Sequence, residues 1–340
     1  MGLTGGRAES HPIGVAVLGF WHVHADEYAN AAAAHPGTRL VAVWDHVEGR
    51  GRAAAQHRCV PFVADLAELL ARPDVDAVVV TNETAAHTQV IGDAIAAGKH
   101  VLSEKLLAPT TGDVATILDA ASRSGVQVIT SLPYLSQSPA LTALAQVAEG
   151  RLGRVHYVRV RVAHDGATRG WLAPWFFDPD AAVGGAMTDL GCHPAYLVLA
   201  FMGREPDTVH ATYGRVTGRA VEDLASTTAT FAGGGVGVAE TSFVDPGCYD
   251  YQVTGDRGAI AYSSRDDTVW GRGPGFPGEG WSPIPQVAAE ARPFDRWITG
   301  IQTSTADPAN LEAARTLTGY IAASNLSAAI GRPARYRVSR

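Results

Sequence analysis

Ile13-Gly14-Val15-Ala16-Val17-Leu18-Gly19 is the stretch that decides the fold of this chain. An apolar, β-rich run that stops on a glycine reads as a strand buried on both faces and followed by a tight turn. Ala25–Ala34 is alanine-rich and predicts a helix, and Leu40–Trp44 predicts a second strand closed by Asp45. The alternation continues with a helix over Glu48–Arg58, a short strand over Pro61–Val63 and a helix over Leu66–Ala71 that Asp65 can cap. Ala77–Thr81 is a further doubly buried run, and Thr84–Ala97 is a helix closed by Gly98. His100–Leu102, a helix over Thr111–Ser124 ending at Gly125, and Val126–Thr130 complete the series. Strands alternating with helices at this spacing build βαβ units, and right-handed crossovers turn them into a doubly wound parallel sheet.

From about residue 152 the rhythm changes. After a helix over Pro139–Glu149, Val155–Val162 alternates as a half-buried strand, and an aromatic loop with Trp171, Trp175, Phe176 and Phe177 follows. Val209–Val216, Ser226–Phe231, Val236–Thr241, Tyr249–Thr254 and Ala259–Tyr262 read as successive strands, a mostly antiparallel sheet of a second unit. Residues 271–285, rich in Gly and Pro, read as a loop, and Val287–Gly300 and Leu311–Ile330 as closing helices. A chain of 340 residues is too long for one ordinary core, so two units agree with its length.

Composition removes several classes of function. The net charge is −7, and no run of Lys or Arg could track a phosphate backbone, so no nucleic-acid partner is expected. No apolar run approaches the ~18–20 residues of a membrane span, so no membrane role is expected either. The polar N-terminus has no signal-peptide core and reads as a leader over residues 1–11. Cys59, Cys192 and Cys248 are odd in number and scattered, which fits a reducing cytoplasm.

Three places carry chemistry. Gly19-Phe20-Trp21-His22-Val23-His24 keeps only the first glycine of a dinucleotide turn, so it is either a phosphate turn or a plain strand–helix turn. Asp45 ends the second strand, where a carboxylate accepts from adenosine ribose hydroxyls and repels a 2′-phosphate; its other reading is a helix cap. This favours NAD over NADP. His22 and His24 either donate to a pyrophosphate or line the turn. Glu104-Lys105 follows a strand at the carboxyl edge of the sheet, where a lysine can polarise a substrate hydroxyl; a surface loop is the alternative.

The third place is Gly184-Gly185-Ala186-Met187-Thr188-Asp189-Leu190-Gly191-Cys192-His193. Read as a helix, it puts Asp189 and His193 on one face, one turn apart. That pair could be a proton-transfer device, half of a metal site or a capped core histidine. No further ligand cluster has helpful spacing, so no metal is expected. His164 and the aromatic loop, Trp171 and Trp175 included, could stack on a sugar face or pack as a lid.

Gly98-Lys99-His100-Val101-Leu102-Ser103-Glu104-Lys105, preceded by Thr81-Asn82 and His87, resembles the Gfo/Idh/MocA oxidoreductases, the glucose–fructose oxidoreductase and inositol dehydrogenase group. The Gly184–His193 stretch, Gly150-x-x-Gly153-Arg154-Val155 and Gly331-Arg332-Pro333 resemble the same family. The resemblance implies an α/β protein: an NAD-binding Rossmann domain over 12–131, and a substrate-binding and oligomerisation domain with an open sheet over 132–340. The last helices are expected to pack back on the first domain. It implies hydride transfer between NAD and a hydroxyl carbon of a sugar, sugar derivative or cyclitol, by a homodimer or homotetramer built on the C-terminal sheet. The implied catalytic residues are Lys105, Asp189 and His193, with His193 the acid/base and Asp189 orienting substrate and histidine. The cofactor would meet Gly19, Trp21, His22, Val23, Asp45, Thr81, Asn82, His87, Glu104 and Lys105; the substrate would meet Tyr134, His164, Trp171 and Trp175. Glycoside cleavage or epimerisation with transient use of NAD, and a non-catalytic dinucleotide-binding regulator, are the alternatives. The family's proline after the lysine is Leu106 here, so a trans Lys105–Leu106 peptide is expected.

Overall fold

A computed structural model describes residues 11–339. The expected leader therefore lies outside the described residues, apart from His11. Strands β1 (Ile13–Leu18), β2 (Thr38–Trp44), β3 (Ala77–Val80), β4 (His100–Ser103) and β5 (Val128–Thr130) form one parallel sheet in the order β2-β1-β3-β4-β5. Helices α1 (Ala25–Ala34), α2 (Glu48–Arg58), α3 (Leu66–Leu70), α4 (His87–Ala96) and α5 (Thr111–Ser124) make the crossovers. β3 is buried at every position, as a strand covered by helices on both faces must be. Asp65 caps α3 by accepting from Glu68 N–H (2.8 Å), and Thr110 caps α5 from Asp113 N–H (3.1 Å).

The strand expected at Pro61–Val63 is reduced to one parallel bridge between Val43 and Phe62. Pro61 has no N–H to offer, so the segment is tied to β2 by Val43 N–H to Pro61 O (3.0 Å) and Val63 N–H to Val43 O (3.0 Å). The strand order reverses between β1 and β3, and the crevice beyond their carboxyl ends is where such sheets take ligands.

The second sheet has nine strands. After α6 (Ser138–Ala148) come β6 (Val155–Ala163), short helices α7 (Gly166–Arg169) and α8 (Pro179–Ala182), and α9 (Cys192–Met202). β7 (Thr208–Gly214), β8 (Leu224–Phe231), β9 (Gly235–Ser242), β10 (Cys248–Gly255), β11 (Ala259–Ser263), β12 (Thr268–Arg272) and β13 (Ser282–Pro283) follow. The pairing is antiparallel except between β6 and β9. Tyr249, Tyr251 and Val253 of β10 turn inward, while Asp250 and Gln252 alternate outward. The inner face packs under α9, whose residues are buried nearly all round.

Two expectations need correction here. The stretch 271–285, expected as loop, contributes the end of β12 and all of β13; its glycines hid the alternation of buried Val269 and Gly271 with their neighbours. The closing helix begins at Pro293, not Val287: α10 is Pro293–Thr303. Proline is favoured in a first helical turn and forces an extended residue before it, here Arg292 at ψ 158°.

The chain then returns to the first sheet. Phe294, Trp297 and Ile298 of α10 are buried against Val15 and Val17. The side chain of Asn310, on α11 (Pro308–Ile330), brackets Thr130 of β5, accepting from its N–H (2.8 Å) and donating to its carbonyl (2.8 Å). Asn310 thus supplies the edge of β5 with the partners a further strand would have given. The last strand, β14 (Ala334–Arg335), pairs with β7. Among the described residues no helix is long and apolar enough to cross a membrane.

Candidate active site between the two sheets

The Gly184–His193 stretch is not one helix. Residues 186–191 form turns, and α9 starts at Cys192, so Asp189 precedes the helix and His193 lies in its first turn. A buried carboxylate holds the donors at the start of the stretch. Glu222 accepts from Gly185 N–H (3.0 Å) and Met187 N–H (2.9 Å), while its backbone carbonyl accepts from Ala186 N–H (3.0 Å). A Cβ on Gly185 would lie 2.4 Å from the Glu222 carbonyl oxygen, so only glycine allows this approach. Asp189 and His193 are consequently not hydrogen-bonded to each other, contrary to the expected orienting role of the aspartate.

Asp189 instead meets Lys105. The ammonium, on the segment after β4, donates to Asp189 Oδ1 from the opposite side of the crevice. His22 Nε2 stands 3.4 Å from the same oxygen and 3.2 Å from Lys105 Nζ. The tautomer follows from the other ring nitrogen: His22 Nδ1 accepts the His24 backbone N–H (3.2 Å), so Nε2 carries the proton and donates to Asp189. Burial works against both charges of the pair, but each holds the other ionised. Lys105 is raised by Asp189 and Glu104 despite its burial, and Asp189 is held well below its ordinary value by Lys105 and His22.

Glu104 is fully buried beside this pair. His24 Nδ1 donates to its Oε1 (3.0 Å) and Lys105 N–H to its Oε2 (3.2 Å). Burial opposes the charge, yet His22 and His24 outweigh it and hold the carboxyl far below its ordinary range; the same contact raises His24. His22, His24 and Glu104 stand close enough to share a cation, a grouping that sequence spacing did not reveal. The donor set does not suit one. With Nδ1 accepting, His22 could offer Nε2 to a metal only as an imidazolate, and the Lys105 ammonium already sits 3.2 Å from that nitrogen.

The Lys105–Leu106 peptide is cis, not trans as the missing proline led one to expect. Leu106 is held on both sides: its side chain is buried in the core beneath the second sheet, and its carbonyl accepts from His87 Nδ1 (2.6 Å). Full burial lowers the pKa of His87 to about 4 against the pull of two carbonyls, Leu106 at Nδ1 and Asn82 at Nε2 (3.2 Å). His87 is thus a support of the lysine segment.

His193 faces a cavity of about 710 Å³ together with Tyr134, His164, His24 and Tyr28. Its Nδ1 lies 2.9 Å from the hydroxyl of Tyr196, and burial with Lys105 nearby lowers its pKa well below the ordinary value. The expected substrate residues divide. Tyr134 and His164 line this cavity, His164 stacked on Phe243. Trp171 does not line it; its indole donates to Asp165 (3.2 Å). Trp175 packs away from it, donating to the Trp21 carbonyl (2.9 Å) and covering the guanidinium of Arg50. Neither position was distinguishable in sequence, because indoles in one loop serve packing and contact equally well.

The other end of the crevice suits a dinucleotide. Gly19 has φ 91°, and a Cβ there would lie 2.5 Å from Asn82 Cα. Thr81 fixes the turn by donating to the Gly19 carbonyl (2.6 Å) and accepting from His22 N–H (3.0 Å). Among the described residues the N–H groups of Trp21 and Val23, just ahead of α1, find no partner, and Asn82 Oδ1 is buried without one. Unspent donors before a helix and an orphan acceptor beside them fit a pyrophosphate and a ribose. Beyond them a cavity of about 890 Å³ is lined by Trp44, His46, Asp65 and Glu83. Asp45 departs from its expected availability. Its oxygens already accept from Phe20 N–H (2.7 Å), Val47 N–H (2.8 Å) and both Nε (2.6 Å) and Nη2 (2.8 Å) of Arg50. All four acceptor positions are taken, so a ribose would have to displace Arg50.

Sequence reasoning missed Tyr196, Glu222 and Arg50. Tyr196 is three residues after His193 on a helix, a spacing that signals contact. Arg50, five residues after Asp45, offered a weaker hint, and nothing local marks Glu222.

Known proteins share this two-domain fold. Residues 13–132 match the oxidoreductase-family NAD-binding Rossmann fold, and residues 140–261 match the GFO/IDH/MocA C-terminal domain. A 1,5-anhydro-D-fructose reductase of Ensifer adhaerens is 33% identical over 184 residues, covering 54% of this chain and 54% of the relative. An inositol 2-dehydrogenase of Gluconacetobacter diazotrophicus is 35% identical over 119 residues, 34% of this chain and 35% of the relative. The matches thus span about half or less of these relatives. GenD2 from gentamicin A biosynthesis, solved with NAD, superposes with a TM-score of 0.81 at 26% identity over 98% of this chain and 99% of that one. With both of its domain models matched in order, and Lys105 and Asp189 meeting across the crevice between them, the chain belongs to the Gfo/Idh/MocA oxidoreductase family.

Proposed function

We propose that this protein is an NAD-dependent oxidoreductase that transfers hydride between nicotinamide and a hydroxyl-bearing carbon of a sugar, sugar derivative or cyclitol. The Lys105–Asp189 ion pair carries this reading: a buried ammonium and a half-buried carboxylate from opposite sides of a crevice meet beside a cavity of about 710 Å³. NAD would rest on Gly19, the Trp21 and Val23 N–H groups, Asn82 and the Asp45 edge, and when bound it supplies the hydride acceptor. Relatives named as an anhydrofructose reductase and an inositol dehydrogenase support the substrate class.

The chain's own residues then have distinct tasks. Lys105 Nζ and His193 Nε2 bracket the reacting oxygen, and the buried ammonium stabilises the negative charge that develops there as hydride moves. Asp189 holds the ammonium in place and, with Glu104, keeps it charged despite burial. Tyr134 and His164 form walls of the cavity, and the returning segment with Arg292 and Phe294 closes it. Burial of Lys105 and His193 keeps water from competing for the oxygen. We further infer a cytoplasmic homo-oligomer paired through the polar outer face of the nine-stranded sheet.

A panel of sugars, sugar acids and inositols, offered with NAD and NADP in parallel, tests the reading. Reduction of NAD with at least one member is expected. Tight NAD binding without turnover on any member would favour a regulator, and sugar conversion without net NADH would favour cleavage or epimerisation.

A further inference from the structure

His193 is the residue to which the acid/base role would ordinarily be given, yet its hydrogen bonds do not suit that role. Tyr196, buried one turn along α9, has a single hydroxyl with one proton to give. Its oxygen accepts the backbone N–H of Tyr134 (3.2 Å), which has no other partner. Among the described residues the one remaining atom within reach of the hydroxyl proton is His193 Nδ1 (2.9 Å). If Nδ1 carried a proton, two N–H groups would point at one hydroxyl whose own proton had nowhere to go. In a buried site an unmade hydrogen bond of this kind costs about 1–3 kcal/mol. The chain Tyr134 N–H to Tyr196 O–H to Nδ1 therefore leaves the proton of a neutral imidazole on Nε2.

Nε2 is the atom left for the cavity, since no described residue bonds to it. We propose that Tyr196 is a positioning residue that locks His193 as a neutral hydrogen-bond donor to the substrate oxygen, and that the proton of the reaction passes through Lys105. This rests on the oxidoreductase reading above.

The atoms balance without histidine ionising. In the reductive direction hydride adds to the carbonyl carbon, the C=O π pair becomes the oxygen's lone pair, and that oxygen takes a proton from the Lys105 ammonium. Lys105 is left as an amine and recovers a proton from solvent. In the oxidative direction the ammonium first releases a proton to solvent, and the amine so formed accepts the hydroxyl proton as hydride departs. His193 Nε2–H keeps its hydrogen bond throughout and stabilises the charge on oxygen, as a fixed donor does. A neutral Nε2–H imidazole cannot act as a base, and as an acid it would leave an imidazolate. Burial and the Lys105 and His24 charges oppose a second positive charge on His193 and outweigh the opposite pull of Asp189 and Glu104.

Two measurements separate this proposal from the broader reading. Nitrogen-15 NMR of histidine-labelled protein, with His193 assigned by its loss in His193→Gln, reads the tautomer whether or not a substrate is known. The expected result is an unprotonated Nδ1 and a protonated Nε2 at neutral pH, with Nδ1–H gaining population in Tyr196→Phe. A protonated Nδ1 in the wild type would overturn the proposal. With any substrate that is turned over, His193→Gln keeps an N–H donor and should retain turnover within ~10-fold, while His193→Ala should lose ~100-fold or more, the usual cost of an oxyanion donor. Tyr196→Phe should slow the wild type but add little to His193→Gln. Equal collapse of the Gln and Ala variants would mean that His193 moves the proton, and would overturn the proposal while leaving the oxidoreductase reading intact.

Discussion

The two ends of the crevice each hold an aspartate paired with a cation, but the pairs are built differently. Asp45 and Arg50 lie five residues apart, at the end of β2 and the start of α2, and make a pair within one unit. Asp189 and Lys105 lie 84 residues apart and close only when both sheets are in place. The first pair can form as soon as its βαβ unit folds. The second joins the halves of the molecule and puts charge where chemistry is proposed to occur. The local pair is expected to tune cofactor binding, and the long-range pair to decide activity and coupling between the halves.

Breaking the long-range pair is expected to have the largest effects. Lys105→Met should lower turnover by ~1000-fold or more, since it removes both the charge on oxygen and the proposed proton carrier, while circular dichroism should show a folded protein. Turnover near the wild-type rate would detach the pair from chemistry. Asp189→Asn leaves a buried ammonium without its counter-charge, and urea unfolding should register a loss of about 3–5 kcal/mol. An unchanged midpoint would mean that Glu104 alone supports the lysine.

Acid should weaken the same end of the crevice. Asp189 and Glu104 have folded pKa values below their unfolded ones, so their contribution is present above roughly pH 4 and is lost as pH falls through the folded values. His87 acts in the same sense at higher pH: folded at about 4 against 6.5 unfolded, it costs stability progressively as pH drops through that window. His24 has the opposite sign, being raised by Glu104, and its contribution fades as pH rises through its folded value. Thermal melts between pH 4 and 7 should therefore fall toward acid, and less steeply in His87→Gln; parallel slopes would remove His87 from the account. At the local pair the effect is smallest. Arg50→Gln frees two acceptor positions on Asp45 and should tighten NAD by up to ~10-fold in calorimetry, with no such gain for NADP. Weaker NAD binding would show that Arg50 holds the cofactor rather than shielding Asp45.

The same division explains what could be read from the residues alone. β1, α1, α2, α5 and β6 stand close to where their periodicity and capping residues put them, because those signals are local. That Lys105, Asp189 and His193 belong near one crevice was expected from the family resemblance, not from strand or helix periods. Their pairing was not. The helix expected through Asp189 gave way to turns in which Gly191 N–H bonds the Ala186 carbonyl and His193 N–H the Leu190 carbonyl, in place of the i−4 partners of a continuous helix. The Arg50 clamp on Asp45 and the grouping of His22, His24 and Glu104 depend likewise on side-chain direction, which strand and helix periods do not encode.

The proposed reaction passes hydride between nicotinamide and a sugar carbon at the Lys105–Asp189 pair. The most direct test is label transfer: NADH deuterated at nicotinamide C4, offered with keto-sugars and inosose acceptors, followed by mass spectrometry of the sugar product. Deuterium on the carbon that bears the new hydroxyl, absent in Lys105→Met, is the predicted result. Bound cofactor that never yields its deuterium to any acceptor would contradict the account.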